Sequence, residues 1–214
     1  AIVLIAMLGA ATLMALIGWV FERVIIRPAS ADHLKQMLIT TGALIVISEL
    51  IVSLCGPDEV RMRRPPWLTG SMVCGDVVIE KYRVLALVIG ALVFLVQFWA
   101  LRRTRLGLRI RAGVENREVV QAFGYRIERV FLFVFIVGSA LAGFGGVTWG
   151  YYAEIVTSQI GLNTTIILFI TIIIGGIGSV EGCLIAALAI GLITNYVGYI
   201  MPKLDLLSNI LLLL

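Results

Sequence analysis

Long hydrophobic runs separated by short polar segments organise this sequence. A transmembrane helix needs about 20 predominantly apolar residues. The chain has five runs of that order, a shorter sixth run and a seventh that begins near residue 204. The first six cover residues 1–21, 37–55, 84–101, 130–150, 183–200 and, for the shorter run, 162–175. The runs are continuous, which favours helices, because lipid offers no partner to unpaired backbone groups. The pattern predicts an all-α integral membrane protein, a polytopic helical bundle of about six to seven spans.

Composition agrees with a membrane protein. With 60% hydrophobic and 14% charged residues, the chain falls outside the range of water-soluble globular proteins. The first run has no basic leader and no small-residue cleavage site after it, so it is not typical of a signal peptide. Both ends of the sequence lie inside apolar runs. We therefore expect residues 1–214 to form a single transmembrane domain, truncated at both ends.

The basic residues are distributed unevenly over three polar segments. Segments 22–36 and 102–129 are separated by two spans and together hold eleven lysines and arginines, whereas segment 57–83 holds five. Because short cytoplasmic loops are enriched in lysine and arginine, we expect the first two segments to be cytoplasmic and 57–83 to be a structured external loop. The same alternation assigns the remaining loops: 151–161 and 201–205 external, 176–182 internal.

A short polar insert, 113-GVENREVVQAFGYR-126, lies within the most basic segment. Its residues 116–123 fit a helix of about two turns. Asn116 is a plausible N-cap and Gly124 is a natural stop just after the last turn. A helix of this length is not stable alone in water. It therefore needs the membrane interface or a partner to hold it, unless the segment is an ordinary ordered loop.

The apolar side of this helix favours a protein partner. Val119, Val120 and Phe123 fall on one face, which is too small for a strong lipid anchor. A groove on another protein that receives a short amphipathic helix suits the pattern better.

Several motifs resemble the permease subunits of branched-chain amino acid ABC transporters. The insert lies in 104-TRLGLRIRAGVENREVVQAFGYRIERV-130, which is similar to the cytoplasmic loop of that family. Four further segments look like family motifs, in order along the chain: 22-ERVIIRP-28, 40-TTGALIVIS-48, 138-GSALAGFGGV-147 and 175-GGIGSVEGCLIAALAIGL-192. The resemblance covers essentially the whole chain.

The resemblance implies a subunit of an ATP-driven importer in the bacterial inner membrane. Its expected partners are a second permease subunit (a copy or a paralogue), cytoplasmic ATP-binding subunits, a periplasmic substrate-binding protein and the surrounding membrane lipid. The insert is then the coupling helix that seats in a groove of the ATP-binding subunit. The residues implied in this contact are Glu115, Asn116, Val119, Phe123 and Gly124. The family often has alanines where this chain has Val119 and Val120.

Seven residues are candidates for the translocation path. The resemblance points to the T-x-G segment, and short spans interrupted by glycine often line such paths. Glu49 is a carboxylate inside an apolar run and thus a functional candidate, although it could instead reach water or pair with an arginine of the external loop. A simple turn between helices would explain the glycine cluster equally well. The candidates are Thr41, Gly42, Glu49, Thr164, Gly175, Gly176 and Gly178.

Small residues also predict how the spans pack. Gly138, Ala142, Gly146 and Gly150 recur four apart in one span, a spacing that lets helices approach closely in lipid. Asn195 is expected to form a hydrogen bond across helices.

No catalytic or cofactor site is expected in this subunit. The three lysines precede Gln, Tyr and Leu, which excludes a phosphate-binding loop of the P-loop type. One histidine, His33, and three scattered cysteines fit no zinc site. Cys55 and Cys74 flank the external loop and would pair only in an oxidising compartment; small apolar fillers are the simpler interpretation. The arginines of the third segment follow the membrane charge bias, so no nucleic acid partner is expected.

Two other functions stay open. A permease for urea or short amides shares much of the motif pattern. A channel or secondary transporter that needs no ATP-binding subunit is a different class, but ion-coupled carriers usually embed several charges in the membrane.

Overall fold

The computed structural model describes residues 2–29, 33–56, 58–62, 70–74, 77–124, 126–176 and 178–200. Within these ranges, four helices are long and apolar enough to cross a membrane: Val3–Ile26, Leu38–Cys55, Lys81–Arg103 and Ile127–Ala153. Two shorter apolar helices follow, Ile160–Gly175 and Val180–Tyr196. The expected run from 204 onward lies outside the described residues. The structure thus confirms the first four hydrophobic runs as candidate spans, places run 162–175 on the shorter helix Ile160–Gly175, and places run 183–200 within a helix that extends from Val180 to Ile200.

The elements follow one another in a simple order. They are α1 (Ile2–Phe21), a π-helical turn (Glu22–Ile26), α2 (Arg27–Ala29), α3 (His33–Cys55), β1 (Val60–Arg61), β2 (Ser71–Cys74), β3 (Val77–Glu80), α4 (Lys81–Arg103), α5 (Arg105–Glu115), α6 (Arg117–Ala122), α7 (Ile127–Ala153), β4 (Ile155–Val156), α8 (Ile160–Gly175) and α9 (Val180–Ile200). The chain divides into two compact units, one formed by residues 1–47 and 57–157 and the other by 48–56 and 158–214.

The first unit is built on the packing of α1 along α7. A side chain at Gly18 would meet the Cβ of Ser139 at 2.6 Å, and one at Gly143 would lie 2.8 Å from the carbonyl oxygen of Ala10. Only glycine permits these approaches. The close contact therefore uses Ser139 and Gly143.

The contact with α1 uses residues one position later than the predicted row of Gly138, Ala142 and Gly146. Cβ atoms added at Gly138 and Gly146 would meet no other atom within 4 Å. The motif 138-GSALAGFGG-146 contains two rows of small residues spaced four apart. One row is Gly138, Ala142 and Gly146, and the other is Ser139 and Gly143, on which α1 packs. Gly150, the last member of the predicted row, does pack closely, but its neighbour is Met62, whose sulfur would lie 2.8 Å from an added Cβ.

A small buried core joins the start of α4 to α1 and α7. Tyr82 is 1% exposed and lies with the buried Val3 and Met7. Its hydroxyl donates a hydrogen bond of 2.8 Å to the carbonyl oxygen of Thr148, so the polar end of this buried ring is satisfied. Many other large hydrophobic side chains are exposed in the isolated chain, as expected of surfaces that face lipid or other subunits.

Two short strands connect the loops at one end of the first unit. β1 pairs antiparallel with β4, with Val60 opposite Val156 and Arg61 opposite Ile155. The backbone N–H of Met62 extends the pairing by donating to the carbonyl oxygen of Glu154 at 2.8 Å. Segment 57–83 and the loop after α7 therefore lie at the same end of the unit, as their common external assignment requires.

The described part of segment 57–83 also contains a hairpin. β2 pairs antiparallel with β3 from Ser71–Glu80 to Cys74–Val77. The N–H of Lys81 donates to the carbonyl oxygen of Gly70 at 3.1 Å and closes the hairpin onto the start of α4. The loop is structured, as its sequence predicted, although residues 63–69 lie outside the described ranges.

The second unit contains the helical hairpin formed by α8 and α9. Gly176 and Gly178 have φ values of +85° and +92°, a region that glycine adopts without steric cost. The N–H of Gly182 donates to the hydroxyl oxygen of Ser179 at 3.0 Å, which caps the first turn of α9. These residues make a tight turn that brings the end of α8 against the start of α9.

Candidate functional site

The polar segment between α4 and α7 forms two helices at one end of the first unit. Thr104 has extended backbone angles and separates α4 from α5. It also caps α5, since its hydroxyl accepts a hydrogen bond of 3.3 Å from the N–H of Gly107. The second helix of the pair is α6, which contains the predicted insert.

α5 was not predicted from the sequence. Its signals were present, because Thr104 is a good N-cap and Leu106, Ile110 and Val114 recur four apart. The arginines between these positions were assigned to the membrane charge bias alone, so the amphipathic period was overlooked.

The predicted helix over 116–123 is observed as α6, Arg117–Ala122, so its bounds agree to within one residue at each end. Asn116 has extended backbone angles, and its carbonyl oxygen accepts a hydrogen bond of 3.3 Å from the N–H of Val120. The helix ends at Ala122, after which the N–H of Gly124 donates to the carbonyl oxygen of Gln121 at 2.9 Å. Gly124 has a φ of +80°, which is the usual conformation of a glycine that terminates a helix.

The predicted single apolar face of α6 is wrong. Val120 is buried, with 8% of its surface exposed, whereas Phe123 is 76% exposed. The side chain of Val120 therefore packs inside the protein, whereas the ring of Phe123, directly after the helix, lies at the surface. Glu115 and Asn116 are also exposed, at the start of the helix. Val119 lies in α6, and its side chain is outside the part of the chain that the structure describes.

Contacts between the flanking helices hold α6 in place. Gly113 of α5 packs against Ile127, the first residue of α7, whose side chain is fully buried. A Cβ at Gly113 would lie 3.0 Å from Cγ1 of Ile127 and 3.6 Å from the ring of Phe131. Because α5 and α7 meet next to both ends of α6, this two-turn helix does not depend on its own stability.

An ion pair brings the first and third polar segments together. Arg27 donates to the carboxylate of Glu128 at 2.9 Å, with both side chains about half exposed. The two segments therefore lie at the same end of the first unit, which agrees with their predicted common side. The pair borders a cavity of about 680 Å³ that also reaches Gln121 and Gly124 of the α6 segment.

The candidates for the translocation path do not form one cluster in either unit. Thr41 and Gly42 belong to the first unit and are exposed on α3. In the second unit, Thr164 lies near the start of α8 and Gly175 at its end. These two positions are eleven residue steps apart along the helix, which corresponds to roughly 16 Å.

Local contacts account for several of these candidates. The hydroxyl of Thr164 donates to the carbonyl oxygen of Ile160, four residues earlier, at 2.6 Å. Thr165 and Thr171 form the same bond within α8. Gly175, Gly176 and Gly178 serve the α8–α9 turn, which is the simpler explanation considered for them. A role of these residues in the path stays a prediction.

For Glu49 the sequence left open an ion pair or exposure to water, and it favoured Cys55 as an unpaired apolar filler. Glu49 is exposed on α3, and two of the external-loop arginines considered as its partners, Arg63 and Arg64, lie outside the described residues. Asn195 donates to the carbonyl oxygen of Gly191 in its own helix at 2.7 Å, and within the described part of the chain it forms no hydrogen bond to another helix. Cys55 has a free, exposed thiol, and the thiol of Cys183 is also free.

The fold and the site define a multi-pass α-helical membrane protein with a braced helical segment at its arginine-rich end. The family described as "Branched-chain amino acid transport system / permease component" matches residues 1–214. The chain belongs to this family, which confirms the resemblance read from the motifs.

Curated relatives agree with this assignment. The chain is 28% identical over 192 residues to the high-affinity branched-chain amino acid transport system permease protein LivH of Escherichia coli strain K12, a match that covers 86% of this chain and 61% of the relative. It is 28% identical over 179 residues to the corresponding BraD protein of Pseudomonas aeruginosa, covering 81% of this chain and 58% of the relative. The chain thus spans about three fifths of the length of these relatives. No solved structure matches it significantly.

Proposed function

We propose that this chain is the membrane-spanning permease subunit of an ATP-driven ABC importer that translocates branched-chain, hydrophobic amino acids. Family membership supports a transport role. The names of the two relatives, which refer to high-affinity branched-chain amino acid transport, support the substrate class.

The proposed subunit acts within a larger assembly in a bacterial inner membrane. It pairs with a second permease subunit, which is a copy or a paralogue, and receives its solute from a periplasmic binding protein. Cytoplasmic ATP-binding subunits drive the cycle. Under this proposal ATP hydrolysis takes place in those subunits, and this chain has no enzymatic activity and no cofactor of its own.

The observation that carries the proposal is the geometry of α6. Six residues form a helix that α5 and α7 brace, and the exposed ring of Phe123 follows at its end. An exposed aromatic side chain directly after a helix that the rest of the fold braces is well suited to enter a groove on a partner protein. Movement of that groove would displace α6, and the contact of Gly113 with Ile127 would pass the displacement to α7.

Substitution of Phe123 tests the role of α6. We expect Phe123→Asp in the full-length subunit, reconstituted with its partners in proteoliposomes, to reduce ATP-driven leucine uptake on the order of tenfold, since a charge would enter an apolar groove. Phe123→Leu keeps an apolar side chain and should retain most of the uptake. Both variants should reach the membrane at wild-type levels, because Phe123 is exposed and contributes little to the fold.

A second variant removes the end of the helix. Proline cannot adopt the φ of +80° at Gly124 and lacks the N–H that donates to Gln121. Gly124→Pro should therefore also lose uptake, whereas Gly124→Asn, which tolerates a positive φ, should keep it. Wild-type uptake by both Phe123→Asp and Gly124→Pro would remove α6 from the coupling mechanism.

A further inference from the structure

The arginine-rich end of the first unit contains a cavity that the proposed function does not use. Its volume of about 680 Å³ is typical of small-ligand sites. Two arginines line it from the segment after α1: Arg23 in the π-helical turn and Arg27 in α2. Two more, Arg126 and Arg129, line it from the start of α7. We refer to it as the arginine cavity.

The charges of the arginine cavity are not balanced within the described chain. Four guanidinium groups face the two carboxylates of Glu22 and Glu128, so two positive charges are in excess. Glu128 is already paired with Arg27 at 2.9 Å. The side chains of Arg126 and Arg129 have no hydrogen-bond or ionic partner among the described residues. The cavity therefore offers two guanidinium groups to an anion.

The cavity lies at the level where a membrane surface would be. It is formed by the ends of two helices that are long and apolar enough to span a bilayer, Val3–Ile26 and Ile127–Ala153. The guanidinium of Arg23 lies 5.6 Å from the centre of the Trp19 ring. Tryptophan and arginine together at the end of an apolar helix are typical of the interface between headgroups and hydrocarbon.

A second cavity supplies an apolar continuation. It has a volume of about 760 Å³ and shares Glu22, Arg27 and Glu128 with the arginine cavity. The rest of its lining is mostly apolar and includes Phe131 and Val134, further along the membrane-spanning part of α7; Gln36 and Thr40 are its polar members. A ligand that occupied both cavities would need an anionic head and a hydrophobic body.

We propose that the arginine cavity binds the phosphate headgroup of an anionic phospholipid, with an acyl chain extending along α7 beside Phe131. Arginine groups form charge-assisted hydrogen bonds with phosphate oxygens, and basic pockets between membrane helices favour anionic lipid headgroups. The cavity reaches Gln121 and Gly124, so a bound lipid would touch the segment that holds α6. The proposal does not depend on the transported solute or on the ATP-binding subunits.

Native mass spectrometry of the purified full-length protein in detergent tests this site. We expect phosphatidylglycerol to bind and phosphatidylcholine with the same acyl chains to bind much more weakly. The double variant Arg126→Gln/Arg129→Gln should weaken phosphatidylglycerol binding roughly thirtyfold, given the usual contribution of an interfacial arginine. Arg126→Lys/Arg129→Lys, which keeps the charge, should retain most of the binding.

A matched variant controls for overall charge. Arg103→Gln/Arg105→Gln removes two exposed arginines outside the cavity lining and should change binding by less than about threefold, since distant surface charges are screened. Arg23→Gln, on the opposite wall of the cavity, should weaken binding about fivefold and does not alter the start of α7.

Three results would overturn the proposal. Equal weakening by the 103/105 and 126/129 variants would show a general charge effect, and equal binding of phosphatidylcholine would show that the headgroup is not recognised. Displacement of phosphatidylglycerol by millimolar inorganic phosphate would indicate a site for a free anion and not for a lipid.

Discussion

At the scale of single residues, glycines set how closely the helices of each unit approach. Gly175 and Gly182 let the end of α8 lie against the start of α9. A side chain at Gly182 would lie 2.9 Å from the carbonyl carbon of Gly175 and would collide with its oxygen. Backbone atoms cannot move aside as a flexible side chain would, so this contact requires glycine.

Alanine at this position should loosen the hairpin. We expect Gly182→Ala to lower the free energy of unfolding by about 1–3 kcal/mol, the usual effect of overpacking, as measured by thermal denaturation of the full-length protein in detergent. Gly191→Ala on the same helix is the control, because an added Cβ there meets no other atom within 4 Å. It should be neutral or slightly stabilising. Equal melting temperatures for both variants would contradict the close contact.

Residue-scale packing was only partly predictable. The sequence indicated that small residues of α7 permit close contact, but Ser139 and Gly143 make it, not Gly138 and Gly146. Two rows of small residues one position apart look equivalent in the sequence. The choice between them depends on the rotation of α7 about its axis, which the whole set of α1 contacts determines.

At the scale of elements, the sequence predicted α6 well because its signals are local. Asn116 and Gly124 mark the two ends of the helix, and both have the expected backbone conformation. The different environments of Val120 and Phe123 were not predictable in the same way, since they result from how α5 and α7 bury one side of the helix.

The pairing of β1 with β4 is an element that sequence patterns could not reveal. Each strand has two residues, and about 95 residues separate them along the chain. Strands of this length carry no alternation that could be recognised, and pairing over such a separation depends on the helices that bring the loops together. Only the shared side of the two loops was predictable, from the count of spans and the distribution of charge.

Engineered cysteines can test this strand pairing. With the native cysteines replaced by alanine, we expect Val60→Cys/Val156→Cys to form a disulfide under mild oxidation, detected by mass spectrometry of the linked peptides. Residues directly opposite in an antiparallel pair have the Cα separation that a disulfide requires.

The adjacent pair provides the control for this experiment. Val60→Cys/Ile155→Cys should form far less disulfide, because successive side chains of a strand point to opposite faces. If the two pairs react equally, or if the 60/156 pair does not react, the pairing of β1 with β4 is wrong.

At the scale of the whole molecule, hydrophobic runs and charge bias predicted the class of protein. Four of the predicted runs form helices of spanning length, and the family comparison covers the entire chain. The residues of the translocation path were harder to predict from the sequence. Polar residues such as Thr164 satisfy their hydrogen bonds within their own helix, so polarity alone does not identify a surface that faces solute.

At both ends of α7, contacts join this helix to other parts of the first unit. At one end, the ion pair of Arg27 with Glu128 joins α2 to the start of α7. This pair lies next to the segment that contains α6. At the other end of α7, β4 pairs with β1. If α6 moves as the proposed function requires, the movement would reach α7, a helix with contacts at both of its ends.

The side of the membrane on which α6 lies is the most direct test of this account. In the full-length protein without native cysteines, Phe123→Cys should resist a membrane-impermeant maleimide added to intact cells and react with it in inside-out vesicles. Val60→Cys, which is exposed on the opposite loop, should react from outside the cells. Labelling of Phe123→Cys from outside intact cells would contradict the account, since α6 could not then contact a cytoplasmic ATP-binding subunit.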